Sequence, residues 1–207
     1  MTKAAESDDL AIQQLFEGLA IEAGRKVMEV FRAGCAVKKK ADASPVTEAD
    51  QSSEKIILNG LRSAFPDIPC VAEEEAAEGI VPYQVGEVFF LVDPLDGTRE
   101  FVNRSGDFTV NIALIRHGRP DIGVVYAPCS ERLFSGRPGH AEAIDLDGTG
   151  AVAGRRRIVV RRQHRPVVIV ASRSHRTPAT DDFIRQFEAA EIVSVGSSLK
   201  FCLVACG

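Results

Sequence analysis

Three kinds of segment are missing from this 207-residue sequence, and each absence narrows what the protein can be. No apolar run reaches the roughly 18 residues that a membrane-spanning helix requires. The first residues are polar and charged and contain no apolar stretch of the kind found in a secretory signal. The five cysteines include no CxxC pair. We therefore expect a cytoplasmic protein with reduced thiols, and we leave open a peripheral association with the inner face of the cell membrane.

The sequence also has no excess of positive charge. Its formal net charge is −4, so nothing overall attracts a nucleic acid polymer or an anionic membrane. With 45% hydrophobic and 26% charged residues, the composition is typical of a globular protein with a core. A mildly acidic protein that binds a small polyanion needs metal cations to hold it.

Helices and strands alternate along the sequence. Apolar residues recur at steps of three and four between residues 9 and 33, which predicts a long amphipathic helix. His117-Gly118-Arg119-Pro120 separates two apolar segments and predicts a hairpin. The remaining predicted elements are helices at 47–65, at 179–190 and from 197 or 198 onward, and strands at 36–40, 70–72, 88–92, 108–116, 122–126, 167–171 and 192–195.

This alternation predicts an α/β layered fold with antiparallel strands in the middle of the chain. The continuous apolar runs at 88–92 and 167–171 suit strands that are buried on both faces. The segment 127–154 is rich in glycine, proline and charge, so we expect loops and edge strands there. We divide the chain into a metal-binding and catalytic subdomain, residues 1–134, and a substrate-binding subdomain, residues 135–207.

The clearest chemical signal is Asp93-Pro94-Leu95-Asp96-Gly97-Thr98, at the end of the predicted strand 88–92. Pro94 restricts φ and Gly97 permits a tight bend, so two carboxylates and one backbone carbonyl can turn toward one point. Such an all-oxygen cluster suits a hard cation such as Mg²⁺. Taken alone, the same residues could also form an acidic turn in which an aspartate caps the next segment.

Two upstream segments add carboxylates. Glu73-Glu74-Glu75 follows the predicted strand 70–72, although an isolated run of this kind is more often a solvated surface. Asp50 falls in the first turn of a predicted helix that Ser44 or Thr47 caps, where a negative charge is favourable without any catalytic role.

Together these segments resemble a known family, the inositol monophosphatase superfamily. Its three N-terminal signatures are matched, in order, by SPVTEAD at 44–50, AEEE at 72–75 and DPLDGTREF at 93–101. Within this superfamily, the chain most resembles the bisphosphate nucleotidase (CysQ-like) branch. The segments that carry this resemblance are the end of DPLDGTREF and residues 106–114, 123–128, 172–175 and 196–202. The resemblance covers nearly the whole chain and implies an αβαβα sandwich.

The resemblance also implies an activity, namely Mg²⁺-dependent removal of the 3′-phosphate from 3′-phosphoadenosine 5′-phosphate, linked to sulfate assimilation. Two or more Mg²⁺ ions are expected, with inhibition by Li⁺, and a homodimer is left open. Asp50 and Thr98 would orient and deprotonate the attacking water. The implied metal ligands are Glu73, Asp93, the Leu95 carbonyl and Asp96. The implied substrate-binding residues are Glu73, Leu95, Asp96, Gly97, Thr98, Ser172, His175, Ser198 and Lys200.

One signature of the resembled family has no counterpart in this sequence. It is a Trp-Asp pair downstream of residues 196–205, whose carboxylate completes the metal cluster. Because the chain contains no tryptophan and ends at Gly207, we expect a C-terminally truncated sandwich. The alternatives are an inositol or sugar phosphatase on the same fold and an inactive metal-binding remnant. A haloacid-dehalogenase-type site needs two aspartates separated by one residue, whereas two residues separate Asp93 from Asp96.

Overall fold

The computed structural model describes residues 3–34, 38–39, 45–162, 165–187 and 189–207. Its helices are α1 (Lys3–Ala33), α2 (Glu48–Ala64), α3 (Glu73–Ala77), α4 (Thr98–Val102), α5 (Pro178–Ile184) and α6 (Leu199–Ala205). Its strands are β1 (Lys38–Lys39), β2 (Pro45–Val46), β3 (Cys70–Ala72), β4 (Val88–Asp96), β5 (Thr109–Arg116), β6 (Arg119–Ala127), β7 (Arg132–Arg137), β8 (His140–Leu146), β9 (Val152–Arg157), β10 (Val167–Ser172) and β11 (Ala189–Val195).

A seven-stranded sheet with the order β3-β4-β5-β6-β7-β8-β9 forms the centre of the molecule. Strands β3 and β4 are parallel, with Ala72 opposite Val92, and the other neighbours are antiparallel. Strands β10 and β11 form a separate parallel pair, and β1 and β2 a short antiparallel one. Because β3 and β4 run in the same direction, the residues that follow them emerge at the same edge of the sheet.

Helices α1 and α2 pack on one face of this sheet. The periodic apolar residues of α1 lie in the main core, where the Phe16 ring meets the Phe90 ring of β4 at 5.6 Å between centroids. Helix α2 contributes Ile57 and Leu61, which are fully buried. The amphipathic pattern of both helices therefore determines which face of each meets the sheet.

The opposite face of the sheet carries a second, smaller core. Along β6, Val124 belongs to the main core while its neighbour Val125 packs in the second one, as the two-residue period of a strand requires. Cys202 of α6 is buried there against Phe134 and Ala143. Helix α6 also contacts β10, and β10 and α5 line a common groove. This succession of layers confirms the expected αβαβα fold.

Several expected elements are confirmed and others need correction. The helix at 47–65, the strand at 70–72 and the hairpin agree with α2, β3 and β5–β6. The expectation of loops and edge strands at 127–154 is only partly right, because β7 and β8 are regular inner strands of the large sheet, whereas β9 is an edge strand. The helix expected at 179–190 ends at Ile184, since the chain then pairs with β10 as β11.

The two strands that were expected to be buried on both faces are less covered than their apolar runs indicate. Leu91 of β4 is 44% exposed, and β10 is mostly half-buried. Strand β4 also continues through the acidic segment to Asp96, with an irregularity in its pairing between Asp93 and Asp96. The expected subdomain boundary at 134–135 falls inside β7. The strand expected at 36–40 lies largely outside the described residues, apart from β1.

Candidate active site

A cavity of about 540 Å³ opens where the turn after β4 meets the start of α6. It brings together nine of the residues that the sequence pattern singled out, from both ends of the chain. They are Glu73, Asp93, Leu95, Asp96, Gly97, Thr98, His175, Ser198 and Lys200. Arg99, Glu100, Ser197 and Phe201 complete the lining.

Asp50 reaches this cavity through Thr98. The Thr98 hydroxyl lies 3.2 Å from Asp50 Oδ1 and 3.3 Å from the Leu95 carbonyl oxygen. The second oxygen, Oδ2, accepts hydrogen bonds from the Thr47 N–H at 2.7 Å and the Thr47 hydroxyl at 2.6 Å. Asp50 is therefore both the acidic member of the capping box of α2 and the partner of Thr98.

Burial raises the pKa of Asp50 above its ordinary value, and the hydrogen bonds from Thr47 and Thr98 act in the opposite direction. A buried carboxylate with a raised pKa is a better proton acceptor than an exposed one. The hydrogen bonds to Thr47 and Thr98 hold the Asp50 carboxyl group next to the cavity, and its pKa remains above the ordinary value.

Asp93 is the most perturbed carboxyl group of the site. Its pKa is raised to about 8, chiefly by burial and further by the negative charges of Glu73 and Asp96 and by a hydrogen bond with Glu73. The N–H of Leu95 donates to Asp93 Oδ1 at 3.2 Å, and this hydrogen bond lowers the pKa of Asp93. Repulsion among oxygen ligands crowded together is relieved by a cation, which is the usual reason for such clusters.

The donor set fits a hard cation, because Glu73, Asp93, Leu95 and Asp96 line one cavity and offer carboxylate and carbonyl oxygens. Among the residues that the structure describes, no group of three or more His, Cys, Asp or Glu side chains already has the geometry of a metal site. Glu73 is exposed, and its carboxyl group already hydrogen-bonds Asp93. The residues thus supply the right chemistry for a cation.

Asp96 connects the acidic turn to the C-terminal part of the chain. Its Oδ2 accepts the N–H of Ser198 at 2.5 Å. Burial raises the pKa of Asp96, whereas this N–H and the charge of Lys200 lower it. The Ser198 hydroxyl lies 2.8 Å from that of Thr109 and 3.0 Å from Asn111 Oδ1, so it is already engaged by the sheet. Ser198 therefore fixes the start of α6 beside the cavity.

The predicted residues after β10 are divided between two places. His175 lines the cavity, and its Nε2 lies 3.3 Å from Nη1 of Arg99. Ser172 lines the apolar groove between β10 and α5 instead, and its hydroxyl accepts the His175 N–H at 3.1 Å. His175 therefore lies at the site. Ser172 lies in the groove and holds the backbone of His175 through this hydrogen bond.

Gly97 is required by the backbone at this point. Its φ is +91°, in the left-handed region, and a Cβ atom there would lie 3.0 Å from the carbonyl oxygen of Asp107. The residue that follows, Thr98, begins α4 and so points its hydroxyl back toward Asp50. The bend that Gly97 was expected to permit is present.

Sequence reasoning missed several residues that build the site. Ser53 donates its hydroxyl to the Pro94 carbonyl at 2.9 Å, and Glu54 accepts the N–H groups of Glu74 and Glu75. Glu100 is buried and accepts a hydrogen bond from the Ser174 hydroxyl. The helical spacing of polar residues in α2 could have pointed to Ser53 and Glu54, but no local pattern pointed to Glu100.

Comparison with known proteins identifies the family. The model of the "Inositol monophosphatase family" matches residues 9–207. The 3′(2′),5′-bisphosphate nucleotidase CysQ of Shigella flexneri is 44% identical over 191 residues, which cover 91% of this chain and 74% of that protein. The same enzyme of Escherichia coli K12 is 43% identical with the same coverage.

Solved structures agree with this comparison. CysQ from Bacteroides thetaiotaomicron, a bacterial member of the inositol monophosphatase family, matches with a TM-score of 0.72 and 30% identity over 94% of this chain and 76% of that one. The extragenic suppressor protein suhB from Bartonella henselae matches with a TM-score of 0.73 and 28% identity over 95% and 75%. This chain belongs to the inositol monophosphatase family, as its motifs predicted.

The helices give one further finding. Within the described ranges, none combines the length and the apolar character needed to cross a membrane.

Proposed function

We propose that this protein is a metal-dependent phosphomonoesterase that removes the 3′-phosphate from 3′-phosphoadenosine 5′-phosphate, giving AMP and phosphate. The observation that carries the proposal is the hydrogen bond from Thr98 to the buried Asp50 beside the carboxylates of Asp93 and Glu73. The choice of substrate is supported by the curated relatives named as 3′(2′),5′-bisphosphate nucleotidases. We link the reaction to sulfate assimilation in the cytoplasm.

The proposed cation is Mg²⁺, with two or more ions bound and with Li⁺ as an inhibitor. Glu73, Asp93, Asp96 and the Leu95 carbonyl would hold it. When bound there, Mg²⁺ would neutralise the phosphate dianion and acidify the attacking water. An all-oxygen donor set of this kind favours Mg²⁺ over softer metals.

Asp50 and Thr98 would manage the proton of the attacking water. Because the Thr98 hydroxyl donates to Asp50 or to the Leu95 carbonyl, its lone pairs remain available to accept a hydrogen bond from a water in the cavity. Asp50, whose pKa is raised by burial, would receive the proton through this hydroxyl. A threonine hydroxyl is too weak an acid to act without such a partner.

The cavity lining also carries positive charge, from Lys200 and Arg99, suited to the rest of the substrate. Lys200 lies in the first turns of α6 and donates to the Ser197 carbonyl at 2.5 Å, while His175 and Arg99 lie side by side. Of these groups, Lys200 and His175 would bind the second phosphate and the adenosine. Residues 1–134 would thus supply the catalytic groups, and residues 135–207 the contacts that select the substrate.

The test is phosphate release from equal concentrations of 3′-phosphoadenosine 5′-phosphate, inositol monophosphate and fructose bisphosphate, with Mg²⁺ and with EDTA. We expect the nucleotide to give the highest kcat/KM and EDTA to abolish release. Preference for inositol monophosphate would assign the chain to the inositol phosphatases of the family. Absence of release from every substrate would instead indicate a metal-binding remnant without activity. Sedimentation of the same sample would decide between a monomer and a homodimer.

A further inference from the structure

Helix α2 carries three polar residues that are almost completely buried. Asp50, Ser53 and Glu54 are 1%, 0% and 4% exposed, and their spacing of three and four places them on one face of the helix. Burying polar side chains is costly unless each finds a partner. Each of the three is paired with a segment of the active site. Asp50 meets Thr98 and Ser53 meets Pro94, both in the segment 93–98, whereas Glu54 meets the start of α3.

Glu54 makes the most specific of these contacts. Its Oε2 accepts the N–H of Glu74 at 2.7 Å, and its Oε1 accepts the N–H of Glu75 at 2.8 Å. Both donors lie in the first turn of α3, where the N–H groups have no partner within the helix. Ala72, which precedes α3, provides no side-chain cap. Glu54 therefore caps α3 from a neighbouring helix.

The position of Glu73 follows from this cap. On its N-terminal side, Ala72 is held in the sheet opposite Val92, so Glu73 and Asp93 are the next residues of two adjacent parallel strands. On its C-terminal side, the next two N–H groups are held by Glu54. Glu73 is thus fixed at both ends of its backbone, and its carboxyl group meets Asp93 although the side chain is exposed.

We propose that Glu54 is a positioning residue of the cation site, which holds the backbone of Glu73 so that its carboxylate can join Asp93 in binding a divalent cation. The proposal rests on the function proposed above, because it assumes that Glu73 and Asp93 bind a cation. Glu54 does not line the cavity with them. It acts through Glu73, in the way that residues behind a metal ligand usually orient it.

The experiment measures Mn²⁺ binding to the full chain by the loss of the electron paramagnetic resonance signal of free Mn²⁺. In Glu54→Gln, an amide NH₂ replaces one acceptor oxygen and faces a backbone N–H, so one of the two bonds is lost. We expect the Kd for Mn²⁺ to rise by about tenfold or more, the usual cost of removing such a partner. Glu48→Gln, the same change at an exposed site on the same helix, should leave the Kd unchanged.

A double-mutant cycle shows whether the effect passes through Glu73. In a Glu73→Gln background, Glu54→Gln should weaken Mn²⁺ binding little further, because the ligand that it positions is already lost. Full additivity would overturn the proposal. A folded Glu54→Gln protein with the wild-type Kd would also overturn it, even if its melting temperature fell, since a purely structural role predicts that result.

Two further outcomes are informative. A wild-type protein that binds no Mn²⁺ would overturn the proposed cation site and this inference together, whereas the results above would overturn the role of Glu54 alone. If Glu54→Gln does not fold, Glu54→Asp replaces it, because it keeps the charge but shortens the reach by one methylene. A weakened Mn²⁺ affinity in Glu54→Asp would support the proposal, and an affinity equal to that of the wild type would overturn it.

Discussion

The hydroxyl of Thr98 lies 3.2 Å from Oδ1 of Asp50, a residue 48 positions earlier in the chain. The other oxygen of the same carboxylate closes the capping box at the start of α2 through Thr47. One side chain thus joins the beginning of a helix to the turn that carries Asp93 and Asp96. Because the capping contact and the Thr98 contact use different oxygens, substitution of Thr47 or of Thr98 removes one contact and leaves the other.

Removing either member of the Asp50–Thr98 pair should slow the reaction. We expect Asp50→Asn and Thr98→Ala each to lower kcat by roughly two to four orders of magnitude, the range for loss of a general base. The double mutant should be little slower than the worse single mutant, since residues that act as a unit are not additive. Steady-state kinetics at saturating Mg²⁺ measure this, with Thr149→Ala on an exposed loop as the control. Additive losses would mean that the two residues have separate roles.

The two carboxylates at the C-terminal end of β4 should be essential for cation-dependent turnover. Asp93→Asn and Asp96→Asn each remove an oxygen ligand, so we expect kcat to fall by several orders of magnitude and the Mg²⁺ requirement to rise. Asp67→Asn changes an exposed aspartate outside the cavity and serves as the matched control. Phosphate release is followed across a Mg²⁺ titration and after treatment with EDTA. Near-normal activity in either mutant at saturating Mg²⁺ would contradict the ligand assignment.

Two cavity residues from the C-terminal part of the chain should affect substrate binding more than the chemical step. His175→Ala and Lys200→Ala are expected to raise KM for the bisphosphate nucleotide more than they lower kcat, because groups remote from the scissile phosphate contribute mainly uniform binding. His117→Ala, at the exposed turn of the β5–β6 hairpin, is the control. Michaelis–Menten kinetics separate the two parameters. A loss of kcat at constant KM would place these residues at the reacting phosphate instead.

Ser53 should contribute to stability through its bond to the turn. Ser53→Ala leaves the buried Pro94 carbonyl without its side-chain donor, which costs about 1–3 kcal/mol of the free energy of unfolding. Ser52→Ala is the natural control, because the neighbouring serine is only half-buried, and it should change stability by no more than about 0.5 kcal/mol. Urea denaturation measures both variants. Equal stability of the two would show that the Ser53 contact adds nothing.

Gly97→Ala should be more damaging than a similar change elsewhere. Any side chain at φ +91° is strained by about 1–3 kcal/mol, and here the added Cβ would also press on the Asp107 carbonyl. Gly118 has a comparable φ of +72° but open space around it, so Gly118→Ala reports the backbone strain alone. Urea denaturation should therefore show a larger loss for Gly97→Ala. Equal losses would indicate that the turn relaxes away from Asp107.

Much of the fold could be predicted because its signals are local. The apolar period of α1, the capping residues of α2 and the turn between β5 and β6 each act over a few residues. Strands β7, β8 and β9 could not be predicted in the same way, because their glycine-rich and charged sequence becomes regular only when neighbouring strands pair with it. The end of α5 at Ile184 was missed for the same reason.

The sequence by itself singled out the candidate site residues, since the proline, the glycine and the carboxylates at the end of β4 define a local geometry. Only the tertiary structure decided what they meet. Packing of α2 against the sheet brings Asp50 to Thr98 and Glu54 to the start of α3, and the position of α6 brings Ser198 to Asp96. The tertiary structure also places Ser172 in the apolar groove and not in the cavity. Such contacts depend on how whole elements pack, and no spacing within a single segment encodes them.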